Sequence, residues 1–223
     1  MGAKPMNNYS PNMLKTFEEC PQKFFLKYVE KISLPQPSTI FEKGKKIHAL
    51  ANYYLNGANV KKMEETLAVD EKITWELLKS NKYFKLDVVN TEYNLSCKIG
   101  KYWIGGRLDA LMKKDKDYLI LDYKTGQIPQ NAEMDFQTII YLLCGSKYLQ
   151  TKGGYNSLKF VYLGLKNNVE KEILLTEDLK KQYEEKIIQT YEKIDFAINS
   201  NVFSSNRIKC KNCEYNKLCM GYE

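Results

Sequence analysis

Two carboxylates and a lysine stand out against apolar surroundings: Gly106-Arg107-Leu108-Asp109, and thirteen positions after that aspartate, Asp122-Tyr123-Lys124. In an extended strand alternate side chains share a face, so Asp122 and Lys124 project together while Tyr123 points away. If the two segments pair as a hairpin through 113–117, Asp109 approaches Asp122. Like charges gathered among apolar neighbours are costly unless a cation neutralises them, and an oxygen donor set suits Mg²⁺ or Mn²⁺. A cation held there would polarise a phosphate oxygen and lower the pKa of a bound water. Lys124 would orient that water or offset charge building on phosphorus. An isolated Asp-x-Lys, by contrast, is ordinarily an ion pair on an exposed strand edge, with Gly105-Gly106 a bulge and 113–117 a solvated turn. The motif gains meaning only from what accompanies it.

Four further features accompany it. His48 is the only histidine, in Lys43-Gly44-Lys45-Lys46-Ile47-His48; a lone helical histidine is ordinarily structural or exposed. Gln137 and Tyr141 are four apart and share a helix face, as they also would in any amphipathic helix. Glu92 precedes Asp109 on the neighbouring strand and is expected to be structural before it is expected to support the site. Finally, Cys210-x2-Cys213-x5-Cys219 places three thiols within ten residues. Zinc ribbons offer two close pairs; here there is one, and Cys20, followed by Pro21, is the candidate fourth ligand. Four thiolates could bind Zn²⁺. Cys97 and Cys144 fall in a strand and an apolar helix and read as core residues.

The elements that must position these residues follow from periodicity and capping. Ser10 is a plausible N-cap for a helix through Glu19, and Pro21 suits the first turn of a second helix carrying Phe24, Phe25, Tyr28 and Val29 on one stripe. Pro35, Pro37 and Ser38 mark a loop. Helices are expected over 41–55, ending at Asn56-Gly57, and over 60–79. Strands are expected at 91–96, 102–112 and 118–123, then a helix over 131–148, a strand at 158–165 and a long helix over 177–199. The run Tyr118-Leu119-Ile120-Leu121 is apolar on both faces, as a central buried strand should be. The order predicts an α/β fold with a mixed central β-sheet flanked by helices.

The 223 residues, 43% hydrophobic and 27% charged, suit one globular domain. Its core is expected at about 85–165, a helical part at 8–80, and a helix with a cysteine-rich tail at 176–223. The net charge of +7 favours a polyanionic partner, and the 17 tyrosines are compatible with base stacking. The polar N-terminus lacks a secretory pattern, no apolar run approaches a membrane span, and the expected location is cytoplasmic, without membrane contact. No G-x-x-x-x-G-K-[ST] motif is present, so no P-loop ATPase is expected here.

Taken together, Gly106-Arg107-Leu108-Asp109, Leu121-Asp122-Tyr123-Lys124-Thr125-Gly126 and Gln137-x-x-x-Tyr141 resemble the PD-(D/E)XK nuclease superfamily, with a restriction-endonuclease-like core, and within it the RecB-like branch. The resemblance implies that Asp109, Asp122, the Tyr123 backbone carbonyl and His48 bind the metal and that Lys124 assists the attacking water. It makes Gln137 and Tyr141 the border of the site, in contact with DNA. An imidazole ligand would tilt preference toward Mn²⁺. One distant N-terminal cysteine plus a C-terminal C-x2-C-x5-C resembles the iron–sulfur staple of the AddB nuclease domain and the CRISPR-associated adaptation nuclease. That implies a [4Fe–4S] cluster on Cys20, Cys210, Cys213 and Cys219, joining the two ends of the chain. Arg207, Lys209, Lys211 and Lys217 would then either line a DNA channel or form an ordinary solvated surface. The activity implied is phosphodiester hydrolysis on single-stranded DNA or DNA ends with exonuclease character, in repair, recombination or CRISPR adaptation. A separate helicase or CRISPR adaptation proteins would be partners. The rival expectations are a catalytically inactive nucleic-acid-binding module and a zinc-stapled nuclease of the same fold.

Overall fold

The computed structural model describes residues 8–34 and 38–219, with residues 38–43 described by backbone alone. The loop expected at Pro35 and Pro37 and the last residues of the tail, 220–223, lie outside the described residues.

A two-residue strand, β1 (Asn8–Tyr9), leads into α1 (Pro11–Glu19), where the Ser10 hydroxyl accepts the Met13 amide at 3.4 Å and Pro11 occupies the first turn. The extended backbone of Cys20 ends α1 and starts α2 (Pro21–Phe24), which widens into a π-helical turn over Phe25–Val29. Then come α3 (Ser38–Leu55), α4 (Lys61–Glu65), α5 (Val69–Lys79), β2 (Asp87–Ile99), β3 (Tyr102–Lys114) and β4 (Asp117–Lys124). The chain continues through α6 (Phe136–Thr151), β5 (Ser157–Gly164), β6 (Val169–Leu174), α7 (Glu177–Ser200), a 3₁₀ segment at Arg207–Asn212 and α8 (Asn216–Cys219).

Among the described residues six strands form one mixed sheet flanked by helices, consistent with a restriction-endonuclease-like core. β2, β3 and β4 run antiparallel in succession, and β5 lies parallel to β4 with α6 as the crossover. A parallel neighbour requires such a connection. β6 closes the far edge, while β1 pairs in parallel with β3 at Trp103 and Ile104. Both faces are covered. Ile120, Phe160 and Tyr162 pack under α1, α6 and α7; Leu121, Tyr123, Val161 and Leu163 pack under α3 and α5. The unbroken apolar run in β4 is therefore needed on both sides.

Several boundaries differ from the sequence expectation. The helix expected over 60–79 is two helices. Thr66 turns its hydroxyl onto the Met63 carbonyl at 2.7 Å, and the Glu71 carboxylate accepts the Ala68 amide at 2.8 Å, restarting the helix. The strand expected at 91–96 extends over all of β2, and Ser38, expected in a loop, is already helical. β1 and β6 were not expected: one is too short to carry a pattern, and the other, Val-Glu-Lys-Glu-Ile-Leu, is an exposed edge with one buried residue. The helix expected from residue 131 starts at Phe136 because the Asp135 carboxylate caps it, accepting the Gln137 amide at 2.9 Å. Among the described residues no helix is long and apolar enough to cross a membrane.

Candidate active site

The β3–β4 ladder ends at the pair Ala110 and Leu121. One step further the antiparallel register would set Asp109 against Asp122, and there the strands part. The Asp109 carboxylate fills the opening by accepting the Tyr123 amide on Oδ2 at 2.8 Å. Leu108 and Ala110 lie in the cores on opposite faces of the sheet, although residues two apart in a regular strand share a face. β3 thus reverses its sides across Asp109. On β2, Thr91 pairs with Ala110 and Tyr93 with Leu108, so Glu92 stands opposite Asp109. Its φ of 47° is left-handed, a conformation that costs a non-glycine residue about 1–3 kcal/mol and is retained where the surroundings impose it.

α3 sends Ile47, Leu50 and Ala51 into the core, which turns His48 to the fork. Its Nδ1 is 3.1 Å from Asp109 Oδ1 and its Nε2 is 2.9 Å from the Tyr123 carbonyl oxygen. Acceptors on both ring nitrogens favour the imidazolium. Burial pushes the His48 pKa down, but Asp109, Asp122 and the Tyr123 carbonyl outweigh it, and the net shift is upward.

Asp122 is 3% exposed. Gln137 Nε2 donates to its Oδ1, while its Oδ2 has Lys124 Nζ at 2.8 Å without hydrogen-bond directionality, leaving a buried oxygen that has a countercharge but no directed donor. Burial and the charge of Asp109 push the Asp122 pKa up to about 6, against the opposing pull of Lys124. Lys124 Nζ donates to Gln137 Oε1 at 2.8 Å, so one amide spans both charged groups. Tyr141, one helical turn on, donates its hydroxyl to the Arg107 carbonyl at 2.8 Å. Its ring lies so close to Gly106 that a Cβ there would sit 2.7 Å from Tyr141 Cε1.

The residues expected at the site thus converge on the fork: His48, Asp109, Asp122, the Tyr123 carbonyl, Lys124, Gln137 and Tyr141. Among the described residues, however, the ligand atoms that come within 4.8 Å of one another are those of His48, Glu92 and Asp109, a group that could hold a metal ion. The Asp122 carboxylate is turned toward Gln137 and Lys124. Glu92, for which a structural role was expected first, joins this group through its cross-strand register with Asp109. Burial raises its pKa, Arg107 opposes that, and Asp109 adds to it. His48, Glu92, Asp109, Arg107, Lys45 and Tyr53 line one open groove of about 720 Å³.

Cys20 and the distant Cys210, Cys213 and Cys219 line a second cavity of about 360 Å³. The Cys20 sulfur accepts the amides of Lys23 and Asn206, both at 3.4 Å, donors that suit an anionic ligand sulfur. Polar contacts join the tail to the first helices. Gln22 N donates to Ser204 O at 3.1 Å, Asn206 Nδ2 to Glu19 O at 2.9 Å, and the Tyr215 hydroxyl to Ile32 O at 2.7 Å. A single tetrahedral zinc, with Zn–S near 2.3 Å, would draw four sulfurs to about 3.8 Å of one another. Among the described residues these four are not gathered at that spacing. Cys97 and Cys144, as expected, are buried in the core, with their sulfurs 3.0 Å apart.

A mixed sheet whose central fork gathers aspartates, a lysine and a histidine defines a class of metal-dependent hydrolase folds, and comparison with known proteins identifies which. The sequence profile of the PD-(D/E)XK nuclease superfamily matches residues 8–83 and 71–220, and the chain belongs to that superfamily. Among solved structures it is similar to a protein from Eubacterium rectale described as "Putative exonuclease", with a TM-score of 0.60 and 11% identity over 95% of this chain and 87% of that one. It also aligns with the structure described as SSO0001, with a TM-score of 0.49 and 19% identity over 98% of this chain and 88% of that one. No curated protein sequence matches the chain.

Proposed function

We propose that this chain is a DNA nuclease that hydrolyses phosphodiester bonds with Mg²⁺ or Mn²⁺, acting on single strands or strand ends with exonuclease character. One observation carries the proposal: Asp109, Asp122, Lys124 and His48 meet at the β3–β4 fork, and Asp122 Oδ2 is buried there without a directed donor. Asp109, Asp122, His48 and the Tyr123 carbonyl would hold the cation, which supplies Lewis acidity and a water of lowered pKa. Lys124 would orient that water or offset charge building on the phosphorus. Gln137 fixes Lys124 and Asp122 relative to each other, and Tyr141 holds the β3 backbone at the border of the site. The net charge of +7 and the groove-lining Lys45, Arg107 and Tyr53 favour a polyanion with exposed bases.

Cys20, Cys210, Cys213 and Cys219 would hold a [4Fe–4S] cluster. The cavity's size and the amide donors on Cys20 favour it over a single zinc. The composition fits work in the cytoplasm, in repair, recombination or CRISPR adaptation, beside a separate helicase or adaptation proteins.

The test is cleavage of end-labelled single-stranded DNA with and without Mn²⁺. The wild type should cleave only with the cation, and Asp122→Ala and Lys124→Ala should each lose at least about 10²-fold in rate while staying folded. Cleavage retained by both variants overturns the mechanism. A wild type that binds DNA but never cleaves it is a binding module.

A further inference from the structure

Arg107 and Glu92 form an ion pair across β3 and β2, with Arg107 Nε 2.9 Å from Glu92 Oε2. The partners differ in surroundings. The Glu92 side chain is 25% exposed and its carboxylate reaches the group formed with His48 and Asp109, whereas the Arg107 side chain is 65% exposed and lines the open groove. The left-handed backbone of Glu92 is what aims it at this group from a strand position. Across the fork the buried Asp122 carboxylate adds a further anion, its Oδ2 balanced by Lys124 Nζ at 2.8 Å. The Arg107 main chain cannot follow its side chain, because Tyr141 holds the Arg107 carbonyl. The guanidinium alone is free to move.

We infer that Arg107 and Glu92 are a latch coupling the cation to the nucleic-acid backbone: Glu92 is a protein ligand of the cation, and on taking up that role it releases Arg107 to grip a phosphate in the groove. The inference rests on the nuclease reading above and deepens it. One carboxylate cannot serve fully as the partner of a guanidinium and as a ligand of a divalent cation. A guanidinium that loses its carboxylate presents its fork of donors to the next available oxyanion, and in this groove that is a phosphodiester. Linkage then makes the coupling reciprocal: cation tightens DNA, and DNA tightens cation by the same factor.

The experiment measures binding in a Lys124→Ala background, so that DNA stays intact. Mn²⁺ affinity is read by electron paramagnetic resonance of the free ion, with and without a short oligothymidylate. Oligonucleotide affinity is read by fluorescence anisotropy, with and without Mn²⁺. The parent should show mutual tightening on the order of tenfold. Glu92→Gln should weaken Mn²⁺ binding and lose most of the coupling. Arg107→Ala should tighten Mn²⁺ binding in the absence of DNA and also lose most of the coupling. Lys45→Ala removes an equal charge from the same groove but leaves the ion pair intact, so it should weaken DNA binding with the coupling kept. Unchanged Mn²⁺ affinity in Glu92→Gln, or coupling lost equally in Lys45→Ala and Arg107→Ala, overturns the latch. Neither readout needs turnover: a wild type that cleaves DNA while Glu92→Gln binds Mn²⁺ normally defeats the latch alone.

Discussion

Asp109 and Asp122 occupy the first step at which β3 and β4 no longer pair. The next ladder bond is replaced by a side chain, since Asp109 takes the Tyr123 amide. The strands are thereby wedged apart by a carboxylate, and a second carboxylate is left buried in the opening. A sheet would ordinarily close such a gap with backbone hydrogen bonds. Holding it open leaves Asp122 buried within reach of the Asp109 charge, which adds to the upward shift of its pKa.

Gln137 should act on rate and leave substrate affinity alone. Its amide bridges Asp122 Oδ1 and Lys124 Nζ, and Gln137→Leu leaves both without that partner while keeping the helix. Removing a group that orients metal-site residues typically costs 10–100-fold, so kcat on an end-labelled oligonucleotide should fall by about that factor with KM little changed. A raised KM at constant kcat would mean instead that Gln137 binds substrate and does not position the site.

Without added cation, the site should favour acid. The folded pKa of Asp122, about 6, lies above its ordinary 3.8, so between those values the folded state holds a proton that the unfolded chain releases, and this group's contribution to stability falls as pH rises. It amounts to roughly 3 kcal/mol at most, from about 1.4 kcal/mol per unit. His48, also shifted upward, contributes in the same direction: its stabilisation is full at low pH and is lost as pH rises through its folded value. Melting temperatures at pH 5 and pH 8 should show wild type losing stability relative to Asp122→Ala as pH rises. Mn²⁺ should restore more at pH 8, because it binds the deprotonated groups. A difference between the two proteins that does not change with pH would refute the assignment.

Much of this site was legible because it depends on short-range rules. The apolar run of β4 fixed a buried strand, the 113–117 turn fixed a hairpin, and together they bring Asp109 beside Asp122. The four-residue spacing of Gln137 and Tyr141 fixed a shared helix face. Glu92 was not legible in the same way, because its position depends on a left-handed residue inside β2 and on cross-strand register. β6 escaped because an exposed edge strand needs no apolar face, and the break at Thr66 because side-chain capping decided it. The meeting of Cys20 with the tail could be counted from thiols, but the contacts of Asn206 and Tyr215 that help to join them follow no motif.

Losing a cavity cysteine should take away both colour and stability. Cys20→Ser or Cys213→Ser should abolish the brown visible absorption and the bound iron expected of wild type. Each should also lower the unfolding free energy by a few kcal/mol, since closing a loop of well over 100 residues is worth on the order of 4 to 5 kcal/mol in the chain-entropy account of cross-links, and the polar contacts between the ends remain. Cys97→Ala, in the core, should keep the colour. A colourless wild type carrying one equivalent of zinc would replace the iron–sulfur assignment.

Gly106 and Tyr141 should prove coupled. A methyl at position 106 would meet Tyr141 Cε1 at 2.7 Å and its hydroxyl at 2.9 Å. The ring is buried and its hydroxyl is tied to the Arg107 carbonyl, so it has little room to retreat. Overpacking of this kind costs about 1–3 kcal/mol, and Gly106→Ala should destabilise by that amount in urea unfolding. Tyr141→Leu removes the ring and its hydrogen bond, and destabilises for a separate reason. With the ring already gone, adding Gly106→Ala should cost much less than it does alone, giving a double-mutant interaction energy of about 1 kcal/mol or more. Strict additivity would mean that the close approach of this ring is not what requires glycine at position 106.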